Sequence, residues 1–148
     1  MSKTVSELAN LIFACYPKLR KMYRDLVSIK DMPLSMTQLT CLYIIHHSDG
    51  LSMSELASDL NMSNQQLTKV VDALVEFEMV ERVCDEKNRR KFYARMTPRG
   101  KELLESLKEE VGKKLSYALR KKSDDEINTL YSCLEHIASY FGHQSPTD

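Results

Sequence analysis

Glycine and proline are scarce in this chain, with four of each among 148 residues, and tryptophan is absent. Residues that interrupt helices are therefore rare, whereas the helix formers Leu, Lys, Glu, Met and Ala are common. No apolar run approaches the roughly 20 residues of a membrane-spanning helix, and the amino terminus leads into no secretory signal. The composition predicts a mainly helical, soluble, cytoplasmic protein with no membrane partner.

Motifs that would indicate an enzyme or a metalloprotein are also missing. The four cysteines lie far apart without a Cys-x-x-Cys pair, which suits neither a disulfide framework nor a zinc site. His46 and His47 are adjacent but have no Cys or Glu cluster nearby, so they do not indicate a metal site. The sequence contains no P-loop, no Gly-x-Ser-x-Gly and no glycine-rich dinucleotide fingerprint. We therefore expect neither catalysis nor a cofactor or metal.

Charge of one sign is not in excess, since 21 basic residues balance 21 acidic ones. A neutral chain is not typical of a nucleic-acid-binding protein. The basic residues are concentrated, however: between Arg82 and Lys101 there are eight Lys or Arg residues against two acidic ones, a local net of +6. With the other acids assigned elsewhere, this distribution predicts a positive field at one place on the surface.

Helix starts are marked by a recurring capping box. A Ser or Thr hydroxyl at the N-cap and a Glu or Gln three residues later satisfy two backbone N–H groups of the first turn. The pairs are Thr4 with Glu7, Ser35 with Gln38, Ser52 with Glu55, Ser63 with Gln66, and Ser123 with Glu126. Each pair precedes an apolar periodicity, which predicts an α-rich protein.

Long amphipathic helices are predicted at both ends of the chain. Helix one, about residues 4–29, carries an apolar residue every three or four positions, and a similar line follows Ser123. Their apolar faces are too extensive for the middle of the chain to cover, so we predict a homodimer. An intramolecular bundle is the alternative. The predicted organisation is one domain, 1–148, in which dimerisation helices at 1–34 and 101–148 flank a lobe at 35–100.

The middle segment has the pattern of a helix-turn-helix. A helix is predicted at 53–59. It is predicted to be terminated by Asn61, which tolerates the left-handed backbone of a tight turn. The next helix is predicted to direct Leu67, Val70, Val71, Leu74 and Val75 inward. Its amino-terminal end carries an acid-free polar cluster of Ser63, Asn64, Gln65, Gln66, Thr68 and Lys69. Amides can pair with adenine and lysine can reach guanine or phosphate, so this face is predicted to read DNA; an ordinary amide-rich surface is the alternative.

A β-hairpin wing is predicted directly afterwards, with strands at about 80–84 and 91–96. Its tip carries four predicted DNA-binding residues, Lys87, Arg89, Arg90 and Lys91, and is the right size to lie along a minor groove. The predicted fold class is thus mainly α with a small β-hairpin wing: a winged helix-turn-helix DNA-binding lobe flanked by long N- and C-terminal dimerisation helices. A winged-helix protein-interaction module without specific DNA binding is the alternative function.

In these residues the chain resembles the MarR family of transcriptional regulators. The resemblance covers essentially the whole chain and is most specific in four motifs: Leu56-Ala57, Val71-Asp72-x-Leu74 with Val80-x-Arg82, Asp85-x-x-Asn88-Arg89-Arg90, and Met96-Thr97-Pro98-x-Gly100. It implies that Arg90 enters the minor groove. The family has Asp where Asn88 stands, Pro where Glu86 stands and Leu where Met96 stands, which affects the geometry of the wing.

The same resemblance implies a function and its regulation. It implies a winged-helix homodimer that binds double-stranded DNA at a pseudopalindromic operator, usually as a repressor released by a small-molecule effector or an oxidant. Some relatives sense peroxide through a thiol near the amino terminus, so Cys15 is a candidate redox sensor. The alternative role for Cys15 is that of a small buried hydrophobic residue.

Overall fold

The computed structural model describes residues 3–28, 32–48, 51–86 and 92–141. Within these ranges the chain forms six α-helices and one antiparallel pair of strands, which confirms the predicted fold class. The elements in order are α1 (Val5–Val27), α2 (Met36–His47), α3 (Met53–Asp59), α4 (Asn64–Glu76), β1 (Val80–Cys84), β2 (Phe92–Met96), α5 (Pro98–Leu119) and α6 (Asp124–Phe141).

The five predicted capping boxes are confirmed. In α1 to α4 the N-cap hydroxyl accepts from the N3 backbone, and the N3 side chain accepts from the N-cap backbone. At α6 the Ser123 backbone N–H donates to Glu126 over 3.0 Å, and the Glu126 N–H donates to the Ser123 hydroxyl over 3.3 Å. These contacts are local in sequence, and each of these five helices begins at the residue after its predicted cap. α1 continues through Pro17 and ends at Val27.

The chain divides into two compact units, Met1–Val111 and Gly112–Asp148, and α5 contributes residues to both. The buried core belongs to the first unit. Its members with less than 2% of their surface exposed come from α2, α3, α4 and β1: Cys41, Leu42, Leu56, Leu67, Val71, Leu74 and Val80. Ala57 on α3 is also buried, with 3% of its surface exposed.

The inward face of α4 is narrower than the sequence predicted. Leu67, Val71 and Leu74 are buried and Val70 packs against the core, as predicted. Val75 is 38% exposed, so its predicted inward position was wrong. The core covers one stripe along α4, and Val75, next to Leu74 in the chain, is turned about 100° away from it.

The wing is paired in a register that runs from Val80 opposite Met96 to Cys84 opposite Phe92. An isolated bridge also joins Ser52, the N-cap of α3, to Tyr93. In β2, Ala94 and Met96 are buried, whereas Phe92 on the same face is 45% exposed. Phe92 lies opposite Cys84 at the end of the ladder next to the wing turn, where its ring is only partly covered.

A tight junction joins the end of α4 to the start of α5. Glu78 has a left-handed backbone with φ of 58°, and the Met79 carbonyl accepts from the Thr97 N–H over 3.0 Å. The Thr97 hydroxyl donates to the Glu78 carbonyl over 2.6 Å and accepts from the Gly100 N–H over 3.1 Å. A Cβ atom on Gly100 would lie 2.4 Å from the Met79 oxygen, so only glycine permits this approach.

The predicted apolar stripes of α1 and α6 are exposed in the chain taken alone. On α1 they run from Val5, 85% exposed, to Tyr23, 49% exposed, and on α6 they include Leu130, Leu134 and Ile137. In the described part of the chain, no helix has both the length and the apolar character needed to cross a membrane. These large exposed faces are the kind of surface that usually marks an interaction site.

Candidate nucleic-acid interface

The amino-terminal turns of α4 present the predicted polar cluster to solvent. Ser63, Asn64, Gln65, Gln66, Thr68 and Lys69 are all exposed, while Leu67 between them is fully buried. The first turn of α4 contains no acidic residue. Unpaired backbone N–H groups and the positive end of the helix dipole also favour a negative partner at this end. This surface can therefore accept a phosphate or the edge of a base.

The capping box restricts what two of these side chains can do. The Gln66 Oε1 accepts from the Ser63 N–H over 2.9 Å, and the Ser63 hydroxyl accepts from the Gln66 N–H over 3.2 Å. A paired contact to adenine needs both the oxygen and the nitrogen of an amide. Gln66 has committed its oxygen, so Asn64 and Gln65 are the better candidates for such a contact.

Further along the same face, Thr68 donates its hydroxyl to the Asn64 carbonyl over 2.8 Å. This bond fixes the hydroxyl on the exposed face and leaves its oxygen able to accept. Lys69 is exposed one residue later. The face therefore offers amide groups, one hydroxyl and one ammonium within two helical turns.

None of the four predicted wing contacts falls within the described residues. Lys87, Arg89, Arg90 and Lys91 lie outside the described residues, as does Asn88. The strands that lead to them are described, and β1 starts four residues after the end of α4. The wing therefore belongs to the same unit as the polar face of α4.

The local excess of positive charge is smaller than the sequence suggested. Acids just outside the counted segment pair with three of its arginines: Arg82 with Asp72 over 2.6 Å, Arg95 with Glu81 over 2.7 Å, and Arg99 with Glu78 over 2.6 Å. The assignment of the remaining acids to other parts of the surface was therefore wrong for these three. Lys69 on the α4 face and the wing cations Lys87, Arg89, Arg90 and Lys91 are still predicted to supply a positive field.

The Arg82–Asp72 pair connects the wing to α4 and was not predicted. Arg82 lies on β1 and Asp72 on the exposed side of α4, so the pair bridges the strand and the helix. Both belong to the motifs on which the family resemblance rests, but no local spacing rule relates them. The Arg95–Glu81 pair could have been found, because these residues stand directly opposite in the hairpin register.

The thiols differ sharply in environment. Cys41 is fully buried, and burial raises its pKa to about 12, so it stays protonated and unreactive. Cys15, the predicted redox candidate, is half-buried on α1, whereas Cys84 on β1 and Cys133 on α6 are exposed. All four are described, and none forms a disulfide.

The vicinal histidines contact each other and a tyrosine. The rings of His46 and His47 meet edge to face with centroids 4.7 Å apart, and His47 stacks on Tyr43 at 4.2 Å. Among the residues that the structure describes, no group of three or more His, Cys, Asp or Glu side chains is arranged to hold a metal ion.

Comparisons with known proteins agree with this geometry. The model of the MarR family matches residues 34–92. The uncharacterized HTH-type transcriptional regulator YpoP of Bacillus subtilis (strain 168) is 30% identical over 119 residues, covering 76% of this chain and 82% of that protein. RV1404 from Mycobacterium tuberculosis has a crystal structure similar to this fold, with a TM-score of 0.81 at 18% identity over 99% of each chain.

A MarR family protein from Bacillus stearothermophilus gives a TM-score of 0.75 at 23% identity, over 93% of this chain and 95% of that one. At these identities the two solved structures establish the fold, while the regulator from Bacillus subtilis is similar enough in sequence to establish the family. With its winged helix-turn-helix and its match to the family model, the chain belongs to the MarR family of transcriptional regulators.

Proposed function

We propose that this protein is a homodimeric transcriptional repressor that acts in the cytoplasm on a pseudopalindromic operator. Each protomer sets α4 into a major groove, where Asn64 and Gln65 read base edges and Lys69 contacts guanine or phosphate. The wing lies along the adjacent minor groove, with Arg90 inserted where the negative potential is greatest. The distance between the two copies of α4 then selects the half-site spacing.

The observation that carries this proposal is the exposed, acid-free polar face at the start of α4. A helix that served only to pack the core would not need amides, a hydroxyl and a lysine together on its exposed side. The same end of the helix carries unsatisfied backbone donors, which a phosphate can accept. The wing follows within the same compact unit, so major-groove and minor-groove contacts would come from one unit of the chain.

Dimerisation is supported by the uncovered stripes of α1 and α6. Apolar residues of α6 such as Leu130 and Ile137 are 43% and 53% exposed, and those of α1 are similarly open. Exposed apolar area of this extent is unfavourable in water unless a partner covers it. A second copy of the chain is the partner that would also duplicate α4, as a two-fold symmetric operator requires.

The test begins with selection of binding sites from a randomised DNA pool by the purified protein. Fluorescence anisotropy then measures the affinity for the selected site and for scrambled DNA at two salt concentrations. The variants are Arg90→Ala, Gln65→Ala and the control Arg120→Ala, which removes the same charge from the second unit. The oligomeric state is measured by sedimentation at the concentrations used.

We expect a two-fold symmetric site, bound by a dimer with an affinity that falls steeply with salt. Arg90→Ala should lose most of the affinity, and Gln65→Ala should weaken discrimination at one base position by about 1–3 kcal/mol. Arg120→Ala should bind like the parent. Equal, weak binding to every DNA would reject the proposal and favour the protein-interaction module.

Release by an effector is the regulatory part of the proposal. A small molecule, or oxidation of Cys15, would favour a spacing of the two copies of α4 that no longer matches the operator. A reporter gene controlled by the selected site should be expressed more strongly in cells from which the gene for this protein has been deleted. If Cys15 is the sensor, peroxide should release the parent protein from DNA and leave Cys15→Ser bound.

A further inference from the structure

Tyr93 of β2 occupies a point where three parts of the DNA-binding unit meet. Its backbone pairs with Val83 of β1 on one side and bridges to Ser52 on the other. Ser52 is the N-cap of α3, the first helix of the helix-turn-helix. Tyr93 is therefore the residue through which the wing is attached to the start of α3.

The side chain of Tyr93 adds a second attachment at the base of the wing. Its hydroxyl donates to the Asp85 carboxylate over 2.9 Å, and both residues are half-buried. Asp85 follows the last residue of β1, and Tyr93 lies one position inside the start of β2. The bond therefore crosses the hairpin diagonally at the end of its ladder, where the strands leave for the wing turn.

The surroundings keep Tyr93 in the form that can donate. The hydrogen bond to Asp85, then the charge of Asp85 and, to a smaller extent, the charge of Glu55 raise the pKa of Tyr93. Glu55 is held in place by Ser52, whose N–H and hydroxyl donate to it over 2.8 and 2.6 Å. A phenol that donates to a carboxylate makes a stronger hydrogen bond than a neutral pair, and here the donor stays protonated throughout the neutral range.

We propose that Tyr93 is a positioning residue, which fixes the base of the wing relative to α3 and so determines how fully the wing contacts DNA. This inference rests on the proposed DNA binding. It assigns to Tyr93 no contact with DNA itself. The tyrosine acts through its backbone bridge to Ser52 at the start of α3 and through its hydrogen bond to Asp85, which precedes the segment that carries the wing arginines.

The test compares Tyr93→Phe with the parent on the selected DNA site. Phenylalanine keeps the ring and its packing, and the backbone pairing with Val83 and Ser52 is unaffected. We expect about a tenfold loss of affinity, the amount that a charge-assisted hydrogen bond would give if the whole effect appears in binding. The slope of log affinity against log salt should also become shallower by about one for each lost phosphate contact.

A matched control is Tyr43→Phe, which removes a hydroxyl from an exposed tyrosine of α2 whose ring stacks on His47. Its affinity and salt slope should equal those of the parent. A double-mutant cycle with Asp85→Ala isolates the bond: the double variant should bind no more weakly than Asp85→Ala alone. Asp85 has further interactions, so its own substitution should cost more than Tyr93→Phe.

The outcomes separate this inference from the proposed function. If the parent selects no DNA site, the proposed function fails before Tyr93 is tested. If the parent binds and Tyr93→Phe matches it in affinity and salt slope, the positioning role is rejected. Lower affinity with an unchanged slope, or additive losses in the cycle, would also reject it, because a general loss of folded protein would produce either result.

Discussion

Two glycines of α5 should respond to alanine in opposite directions. At Gly100 the new Cβ would lie 2.4 Å from the Met79 carbonyl oxygen, whereas ordinary contacts begin near 3.4 Å. The start of α5 must therefore move away by about 1 Å, since the obstacle is backbone and cannot rotate aside. At Gly112, in the same helix, no described atom outside the helix backbone and the neighbouring residues lies within 4 Å of the position that a Cβ would take.

The cost of Gly100→Ala can be worked from the junction. A retreat of that size stretches both the 3.0 Å bond from Thr97 to Met79 and the 2.6 Å bond from Thr97 to Glu78 beyond hydrogen-bonding range. Overpacking costs about 1–3 kcal/mol and each lost bond about 1 kcal/mol, while the better helix propensity of alanine returns about 1 kcal/mol. We expect a net loss of about 2–4 kcal/mol.

The assay is thermal unfolding followed by circular dichroism, with all proteins at one protomer concentration because dimerisation would shift Tm. For a chain of this length Gly100→Ala should lower Tm by roughly 5–15 °C. Gly112→Ala should raise the free energy of unfolding by about 0.5–1 kcal/mol, because alanine loses less backbone entropy on folding. A Gly100→Ala protein as stable as the parent would show that the junction yields easily and that the close approach is not a constraint.

Two other expectations concern single groups. A Cys84→Ser variant is labelled with iodoacetamide at pH 8, and mass spectrometry identifies the modified thiols. Cys41 should be modified only after denaturation, because it is fully buried and its pKa is raised to about 12. Rapid labelling of Cys41 in the native protein would contradict that burial. At the start of α6, the pKa of Glu126 is lowered by its hydrogen bond to Lys122 and, to a smaller extent, by its hydrogen bond to the Ser123 backbone. This cap therefore stabilises α6 above the ordinary Glu pKa and is lost as the pH falls through the lowered value. Titration of the Glu126 carboxyl followed by NMR should give a midpoint below that of an unstructured Glu. In Lys122→Met the midpoint should move closer to the unstructured value. An ordinary midpoint in the parent would show that these hydrogen bonds do not lower the pKa of Glu126.

The helix starts could be predicted because capping is a local interaction. Each box joins residues three apart, so the sequence alone determines where a helix can begin. The strands could also be predicted from the sequence, because small or apolar residues alternate with polar ones along β2; in the structure Ala94 and Met96 are buried and Arg95 between them is exposed. Val75 was misplaced because periodicity gives the direction of an apolar face and leaves open how far the core extends around the helix.

Contacts between elements could not be read in the same way. The Arg82–Asp72 pair and the bond from Tyr93 to Asp85 depend on how β1 and β2 lie against each other and against α4. Counting charges in a window placed Arg82 in a positive patch, although its partner lies ten residues earlier on another element. The residues predicted to contact DNA remain predictions, and the tip of the wing lies outside the described residues.

Arginines that already hold a carboxylate also affect how a regulator is distributed along a chromosome. Binding to DNA of arbitrary sequence is driven by the release of counterions, and every cation that reaches a phosphate adds to it. Arg82, Arg95 and Arg99 each face a carboxylate at 2.6–2.7 Å, and the chain as a whole is neutral. If the protein binds an operator as proposed, these pairs should lower its affinity for the roughly 10⁶–10⁹ competing sites of a genome. A larger share of its molecules should then remain available to find that operator.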